Sequence, residues 1–179
     1  MPEIQIRPVV ATDIPYLKAI DHGYYSDYVW QMDLANEERS IGVSFRETRL
    51  PRSVRVEYPR KPELLEKDWK KRPAMLVSVL GGEPVGYISL DDHFSQQTAW
   101  VTDIAIKSNF RRKGIASALL VAGQEWAVLH DKWRMVVEMQ SKNHPAIRMV
   151  TKLGFDFCGY NDHFYSNQDI AIFFAQELR

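Results

Sequence analysis

The chain has 179 residues, and its 23 Lys and Arg balance its 23 Asp and Glu, so the formal net charge is zero. With 45% hydrophobic and 12% aromatic residues it carries enough apolar material for a packed core, which excludes an intrinsically disordered chain. A dedicated duplex-DNA binder would carry a clear positive excess, which is missing here.

Ile4 and Ile6 alternate with polar neighbours, which predicts a short first strand. Thr12 or Asp13 then caps a helix that has Pro15 in its first turn and buries Ile14, Leu17 and Ile20. Tyr28–Met32 and Ile41–Leu50 read as strands joined by a polar connection over Asp33–Arg39, and Pro62–Lys71 reads as a short helix. Met75–Leu80 and Val85–Leu90 are apolar strand runs around a Gly81-Gly82-Glu83-Pro84 turn, and Thr98–Ile106 continues the series. From Ile115 the period lengthens: Ile115, Ala118, Leu119, Ala122, Trp126 and Leu129 form one helical stripe. Arg134–Gln140 is a strand again. Ser141–Leu153 is a second amphipathic helix, opened near Asn143-His144-Pro145 and stopped at Gly154. Phe155–Tyr160 and Ile170–Leu178 close the chain as strands. This order predicts a mixed α/β sheet, antiparallel wherever connections are tight. The expected organisation is one domain over 1–179, with an elaborated substrate-side segment at about 24–73.

The single cysteine, Cys158, excludes an internal disulfide, and the five histidines (His22, His93, His130, His144, His163) show no i, i+4 metal pair. Met-Pro-Glu-Ile-Gln lacks the basic and apolar segments of a signal peptide. No apolar run approaches the roughly 18 residues of a membrane span. The expectation is a cytoplasmic protein with no metal, membrane or nucleic-acid partner. Arg46, Arg49, Arg52, Arg55, Arg60, Lys61, Lys67, Lys70, Lys71 and Arg72 form a basic stretch that reads as a solvated face.

The most informative segment runs from the strand ending at Ile106, through Lys107-Ser108-Asn109-Phe110-Arg111-Arg112-Lys113-Gly114, straight into a helix at Ile115-Ala116. Free amides at a helix N-terminus and the helix dipole favour an anion. Gly114 and Ala116 leave the backbone open to a phosphate, and Arg111, Arg112 and Lys113 place charge around it. The plain alternative is a solvated basic turn, but three cations there oppose the dipole unless an anion is present. The spacing fits neither a Walker A loop nor G-x-G-x-x-G.

Arg111-x-x-Gly114-x-Ala116, following Asp103-Ile104-Ala105-Ile106, resembles the pyrophosphate-binding signature of the GNAT superfamily of acetyl-CoA-dependent N-acetyltransferases. The stretch from Asn143-His144-Pro145-Ala146 to Leu153-Gly154-Phe155 resembles that family's second signature, Asn-x-x-Ala-x-x-x-x-x-x-Leu-Gly-Phe. The resemblance covers about residues 74–179. It implies the GNAT fold: a mostly antiparallel sheet of about seven strands, flanked by helices. In it a parallel pair, Thr102–Ile106 and Met135–Gln140, splays apart to admit the pantetheine arm of acetyl-CoA. The resemblance further implies that the backbone at Ile104, Ala105 and Ile106 holds the pantetheine, with an N–H near Ile104 polarising the thioester carbonyl. Arg111, Arg112, Lys113, Gly114, Ile115, Ala116 and Ser117 would hold the pyrophosphate, and Asn143, Ala146 and Met149 would flank the thioester arm.

The implied reaction is attack of a neutral amine on the thioester. Glu138 would accept the proton or orient a cationic substrate, with Asp103 and the Asp91-Asp92-His93 cluster as rivals. Val150 stands where the family often has a Tyr that protonates the leaving thiolate. That role is open to Tyr165, Tyr160 or solvent. Glu138-Met139-Gln140, Gly154-Phe155, Phe164-Tyr165-Ser166-Asn167 and Ala171-Ile172-Phe173-Phe174 are similar to the end of streptothricin acetyltransferases, which acetylate a cationic antibiotic amine. The implied partner is thus a small-molecule amine, with room for a homodimer. Protein or peptide acetylation, and a non-catalytic acyl-CoA sensor, are the alternatives.

Overall fold

The computed structural model describes residues 3–179; Met1 and Pro2, at the start of the expected domain, lie outside the described residues. β1 (Gln5–Pro8) leads through a 3-10 turn at Ala11–Asp13 into α1 (Ile14–Lys18). Ile14, Leu17 and Ile20 are buried as expected, worth about 2 kcal/mol each. Neither Thr12 nor Asp13 supplies a side-chain cap to this helix. The buried Asp13 carboxylate instead accepts the Val10 N–H at 2.9 Å and a two-pronged contact from Arg7 at 2.7 and 2.9 Å. The hydrogen bonds from Arg7 hold this carboxyl below its ordinary pKa, against the opposite push of burial.

Residues 24–56 depart most from expectation. β2 (Tyr24–Glu37) and β3 (Ser40–Val56) form a separate antiparallel ribbon whose turn is only Glu38-Arg39. Asp33–Glu37, expected as a polar connection, pair with Ser40–Ser44. The reason lies in the two faces of the ribbon. Met32, Leu34, Phe45 and Val43 share one face, while Gln31, Asp33, Ser44 and Arg46 share the other, so the polar residues belong to a solvent-facing strand surface. Phe45 anchors the ribbon to the body, packing on Phe157 and Tyr160 with ring centroids 5.6 and 5.5 Å apart.

A turn at Pro62–Leu64, α2 (Leu65–Asp68) and a turn at Trp69–Lys71 fill the helical stretch expected over Pro62–Lys71. β4 (Ala74–Leu80), β5 (Glu83–Asp91) and β6 (Thr98–Ile106) form an antiparallel meander. The first turn is Gly81-Gly82 alone, because both glycines take the left-handed φ (57° and 83°) that a two-residue hairpin needs, and Glu83 already pairs with Leu80. α3 (Ile115–Leu129), β7 (Arg134–Gln140), α4 (His144–Lys152), β8 (Asp156–Asn161) and β9 (Ala171–Glu177) follow. α4 begins later than the expected Ser141 because Asn143 is its cap, accepting the Ala146 N–H at 3.2 Å, and Pro145 occupies the first turn.

The seven-stranded sheet runs β1-β4-β5-β6-β7-β9-β8, so the last strand inserts between β7 and β8. β6 and β7 are parallel, and the other neighbours are antiparallel. Leu76 joins a cluster with Leu119 and Leu120 of α3 and Ile147 and Val150 of α4. Met75 and Val77 join a second cluster with Ile14 and Leu17 of α1. That alternation is a strand buried on both faces. Among the described residues, no helix is long and apolar enough to cross a membrane.

Candidate active site

β6 and β7 pair only from Thr98–Arg134 to Val101–Val137. β6 continues to Ile106 and β7 to Gln140, but the two strands fork. Ile104, Ala105 and Ile106 stay in register with Ile88, Tyr87 and Gly86 of β5, while their edge toward β7 has no strand partner among the described residues. An open strand edge of this kind offers unused backbone donors and acceptors to an extended guest.

Charge gathers where the strands part. The Glu138 side chain on β7 is 1% exposed, and it accepts hydrogen bonds from Trp100 Nε1 at 2.9 Å, from the Arg60 guanidinium, and from the Tyr165 hydroxyl at 3.5 Å. Burial pushes its carboxyl above the ordinary value, partly offset by Arg60. Arg60 comes from the loop after β3. Its Nη1 donates to the Thr102 carbonyl at 2.8 Å and to Asp103 at 3.2 Å, and Tyr58 donates its hydroxyl to Asp103. Thr102 is the first β6 residue past the paired stretch, so Arg60 satisfies the first carbonyl that the fork leaves open. Its Cζ also lies 5.4 Å from the centre of the Tyr165 ring. Burial works to lower the guanidinium pKa, but Asp103 and Glu138 outweigh it and hold it above the ordinary value.

Arg60 reads in the sequence as one basic residue of a solvated run; the structure half-buries it between two carboxylates. Tyr24 was also illegible there. Its hydroxyl donates to Gln140 Oε1 at 2.6 Å, and Gln140 Nε2 donates to Asp169 at 2.8 Å, which also takes Lys142 Nζ at 2.8 Å. The Asp169 carbonyl accepts the amides of Phe164 and Tyr165, so this chain of contacts fixes the loop that carries Tyr165. Burial raises the Tyr165 hydroxyl pKa well above its ordinary value, which keeps the group a proton donor.

Of the rivals, Asp103 is at the fork beside Arg60, and the others lie elsewhere. Asp91, Asp92 and His93 offer groups within 4.8 Å of one another, but Asp91 pairs with Arg72 and His93, and Asp92 with Lys132 at 3.2 Å. These ion pairs share no residue with the fork. Tyr160 packs edge-on against Phe45. Val150, on α4, is fully buried in the core.

At the basic turn, Arg112 and Gly114 adopt left-handed φ values of 60° and 81°. Left-handed residues in such turns build concave arrays of backbone N–H groups that favour anions. The Ala118 N–H bonds to the Gly114 carbonyl at 3.0 Å, so the amides of Ile115, Ala116 and Ser117 precede the helical ladder and emerge at its end. A Cβ built on Gly114 meets nothing within 4 Å, so the space over the turn is open. Arg112 and Lys113 are exposed there. Arg111 differs: its Nε and Nη1 donate to the carbonyls of Ile106 and Gly23, each at 2.8 Å, and its Nη2 to that of Asp21. Its side chain is a strut between the turn and the segment before β2. Across the fork Asn143 serves as the cap of α4, with Ala146 and Met149 partly buried behind it.

The sequence profile of the acetyltransferase (GNAT) family matches residues 42–155. The N-acetylaspartate synthetase of Rattus norvegicus is 33% identical over 88 residues, which are 49% of this chain and 29% of that protein. The chain thus matches under a third of that relative's length. An N-alpha-acetyltransferase of Sulfurisphaera tokodaii is 30% identical over 59% of this chain and 70% of its own length. The solved structure of a nourseothricin acetyltransferase matches with a TM-score of 0.84 over 98% of this chain and 99% of that one, at 19% identity. A second, described as a streptothricin acetyltransferase from Bacillus anthracis in complex with acetyl coenzyme A, matches at 0.75 over 98% and 99%, also at 19% identity. At that identity the likeness is one of fold.

Proposed function

Because this chain belongs to the acetyltransferase (GNAT) family, we propose that it moves an acetyl group from acetyl-CoA to a primary amine of a small cationic molecule by direct attack. An antibiotic such as streptothricin, or a polyamine-like compound, fits this class. The observation that carries the reading is the fork: an open β6 edge beside a buried carboxylate pair, Asp103 and Glu138, that a cation satisfies.

The residues fit acetyl-CoA, which supplies the acetyl thioester when bound. Ile104, Ala105 and Ile106 would hold the pantetheine on their free edge. The turn from Arg112 to Ser117 would hold the pyrophosphate under its left-handed backbone and open space, with Arg111 bracing the turn. Asn143, Ala146 and Met149 would flank the thioester arm from α4. Asp103 and Glu138 orient the ammonium, and Glu138 takes the proton it gives up, directly or through water. As the amine nitrogen bonds to the acetyl carbon and the carbon–sulfur bond breaks, the Tyr165 hydroxyl would give its proton to the departing sulfur and regain one from the second proton that the nitrogen loses, passed through solvent, while the proton on Glu138 returns to water. This assigns to Tyr165 the role that Val150 cannot perform.

Acetylation of a peptide amine is the second reading, favoured by the likeness to an N-alpha-acetyltransferase. Release of free thiol from acetyl-CoA, measured against polyamines, streptothricin and N-terminal peptides, separates the two. The expected result is turnover on the small cations. Turnover on peptides alone would replace the first reading with the second. Coenzyme A binding without turnover on any amine would make the protein a sensor.

A further inference from the structure

Arg60, like Tyr58 beside it in the chain, comes to the fork from neither the sheet nor the Tyr165 loop. It reaches in from the coil between β3 and α2, while the groups that hold it are on β6, β7 and the Tyr165 loop. Two carboxylates, one backbone carbonyl and one aromatic face surround it, which is a complete set of partners for an organic cation. A cationic acceptor needs the same partners, so the acceptor and Arg60 compete for one place.

The structure also offers the side chain another position. A cavity of about 50 Å³ opens beside Arg60; Tyr58, Asp68, Trp69 and Asp103 line it, with Lys61 and the Asp91-paired Arg72 also on its wall. Asp68 has only an exposed partner, Lys71 at 3.6 Å, and the Trp69 indole, which carries Lys70 Nζ 5.5 Å from its ring centre, also borders the cavity. A carboxylate and an indole are suitable partners for a guanidinium.

We propose that Arg60 is an internal occupant of the acceptor's cation site, a latch that a cationic amine displaces and that withdraws toward Asp68 and Trp69. This rests on the cationic acceptor proposed above and adds a basis for its selection. Emptying the site would leave two buried carboxylates without a counter-charge, which is strongly unfavourable. An ammonium replaces the guanidinium like for like; a neutral or anionic amine cannot. The latch therefore discriminates by charge before any chemistry occurs.

The test is calorimetric binding of butane-1,4-diamine to the whole chain without acetyl-CoA, in wild type, Arg60→Ala, Asp68→Asn and the double variant. Removing a latch closed in most molecules should tighten diamine binding about tenfold. Asp68→Asn, which weakens the withdrawn position, should loosen it about threefold in the wild type and have no effect once Arg60 is gone. Weaker binding in Arg60→Ala, or an equal effect of Asp68→Asn in both backgrounds, would overturn the latch. If Arg60→Ala does not fold, Asp68→Asn alone decides, since unchanged diamine affinity there also overturns it. Acetyl transfer to the diamine with no response to these variants would sink the latch and leave the proposed function standing. Latch behaviour without transfer to any amine would do the reverse.

Discussion

Asp103 on β6 and Glu138 on β7 share one guanidinium, that of Arg60, at the point where their strands part. The arrangement ties the parallel pair together just where its backbone pairing ends. It also sets the protonation chemistry of the fork, because burial raises the Glu138 carboxyl while Arg60 opposes that rise.

Glu138→Gln should lower kcat on the best amine about 100-fold or more. The pH dependence of kcat/KM is the sharper measurement. A base must be ionised to accept a proton, so the wild-type rate should climb as Glu138 ionises, above the ordinary carboxylate pKa, and again as the amine loses its proton. The Gln variant should keep only the second rise. An identical profile would remove Glu138 from proton transfer.

Tyr165→Phe deletes the donor beside Glu138 and leaves the ring under Arg60. The expected effect is a fall in kcat of about 10- to 100-fold with little change in the KM for the amine. A larger loss in KM than in kcat would make the residue a cation contact and return the acid role to solvent.

The basic turn separates into two kinds of residue. Gly114→Glu sets a negative charge over the proposed pyrophosphate site and should abolish measurable coenzyme A binding in calorimetry. Gly114→Ala, with nothing within 4 Å of its Cβ, should cost only the left-handed strain of about 1 kcal/mol. Arg111→Lys should lower Tm, because a lysine cannot reach three carbonyls at once. Arg112→Ala should leave Tm unchanged and weaken coenzyme A binding, most at low salt. Unaltered coenzyme A affinity in Gly114→Glu would move the cofactor elsewhere.

Asp13 gives a stability prediction with a defined sign. Its folded-state pKa lies below the ordinary value near 3.8, so its contribution is fully present above that pH and is lost as pH falls through the folded value. Asp13→Asn should cost about 2 kcal/mol near neutrality and flatten the acid limb of the stability curve. Urea unfolding across pH measures both; an acid limb as steep as that of the wild type would contradict the assignment.

Several elements were legible because their cause is local. Thr98–Ile106 and Arg134–Gln140 match their strands at both ends, since apolar alternation and the flanking turns bound them. Asn143 and Pro145 mark the start of α4 by satisfying or lacking the amides that a helix leaves free. The open space over Gly114 agrees with the small residue expected there, whereas the left-handed backbone of Arg112 and Gly114 appears only in the structure. The ribbon was misjudged at Asp33–Glu37 because solvent-facing strand residues and loop residues are polar for the same reason, contact with water.

Sequence by itself determined the order of strands and helices, the basic turn before α3 and the family it belongs to, because each depends on residues close together in the chain. Only the tertiary structure decided which charges meet. Arg60 lies 43 residues from Asp103 and 78 from Glu138, and Tyr24 lies 116 from Gln140. No local pattern distinguishes Arg60 from its basic neighbours; what distinguishes it is the fork. There two parallel strands part, leave a carbonyl and two carboxylates facing inward, and make one cation from a distant loop the group that satisfies them.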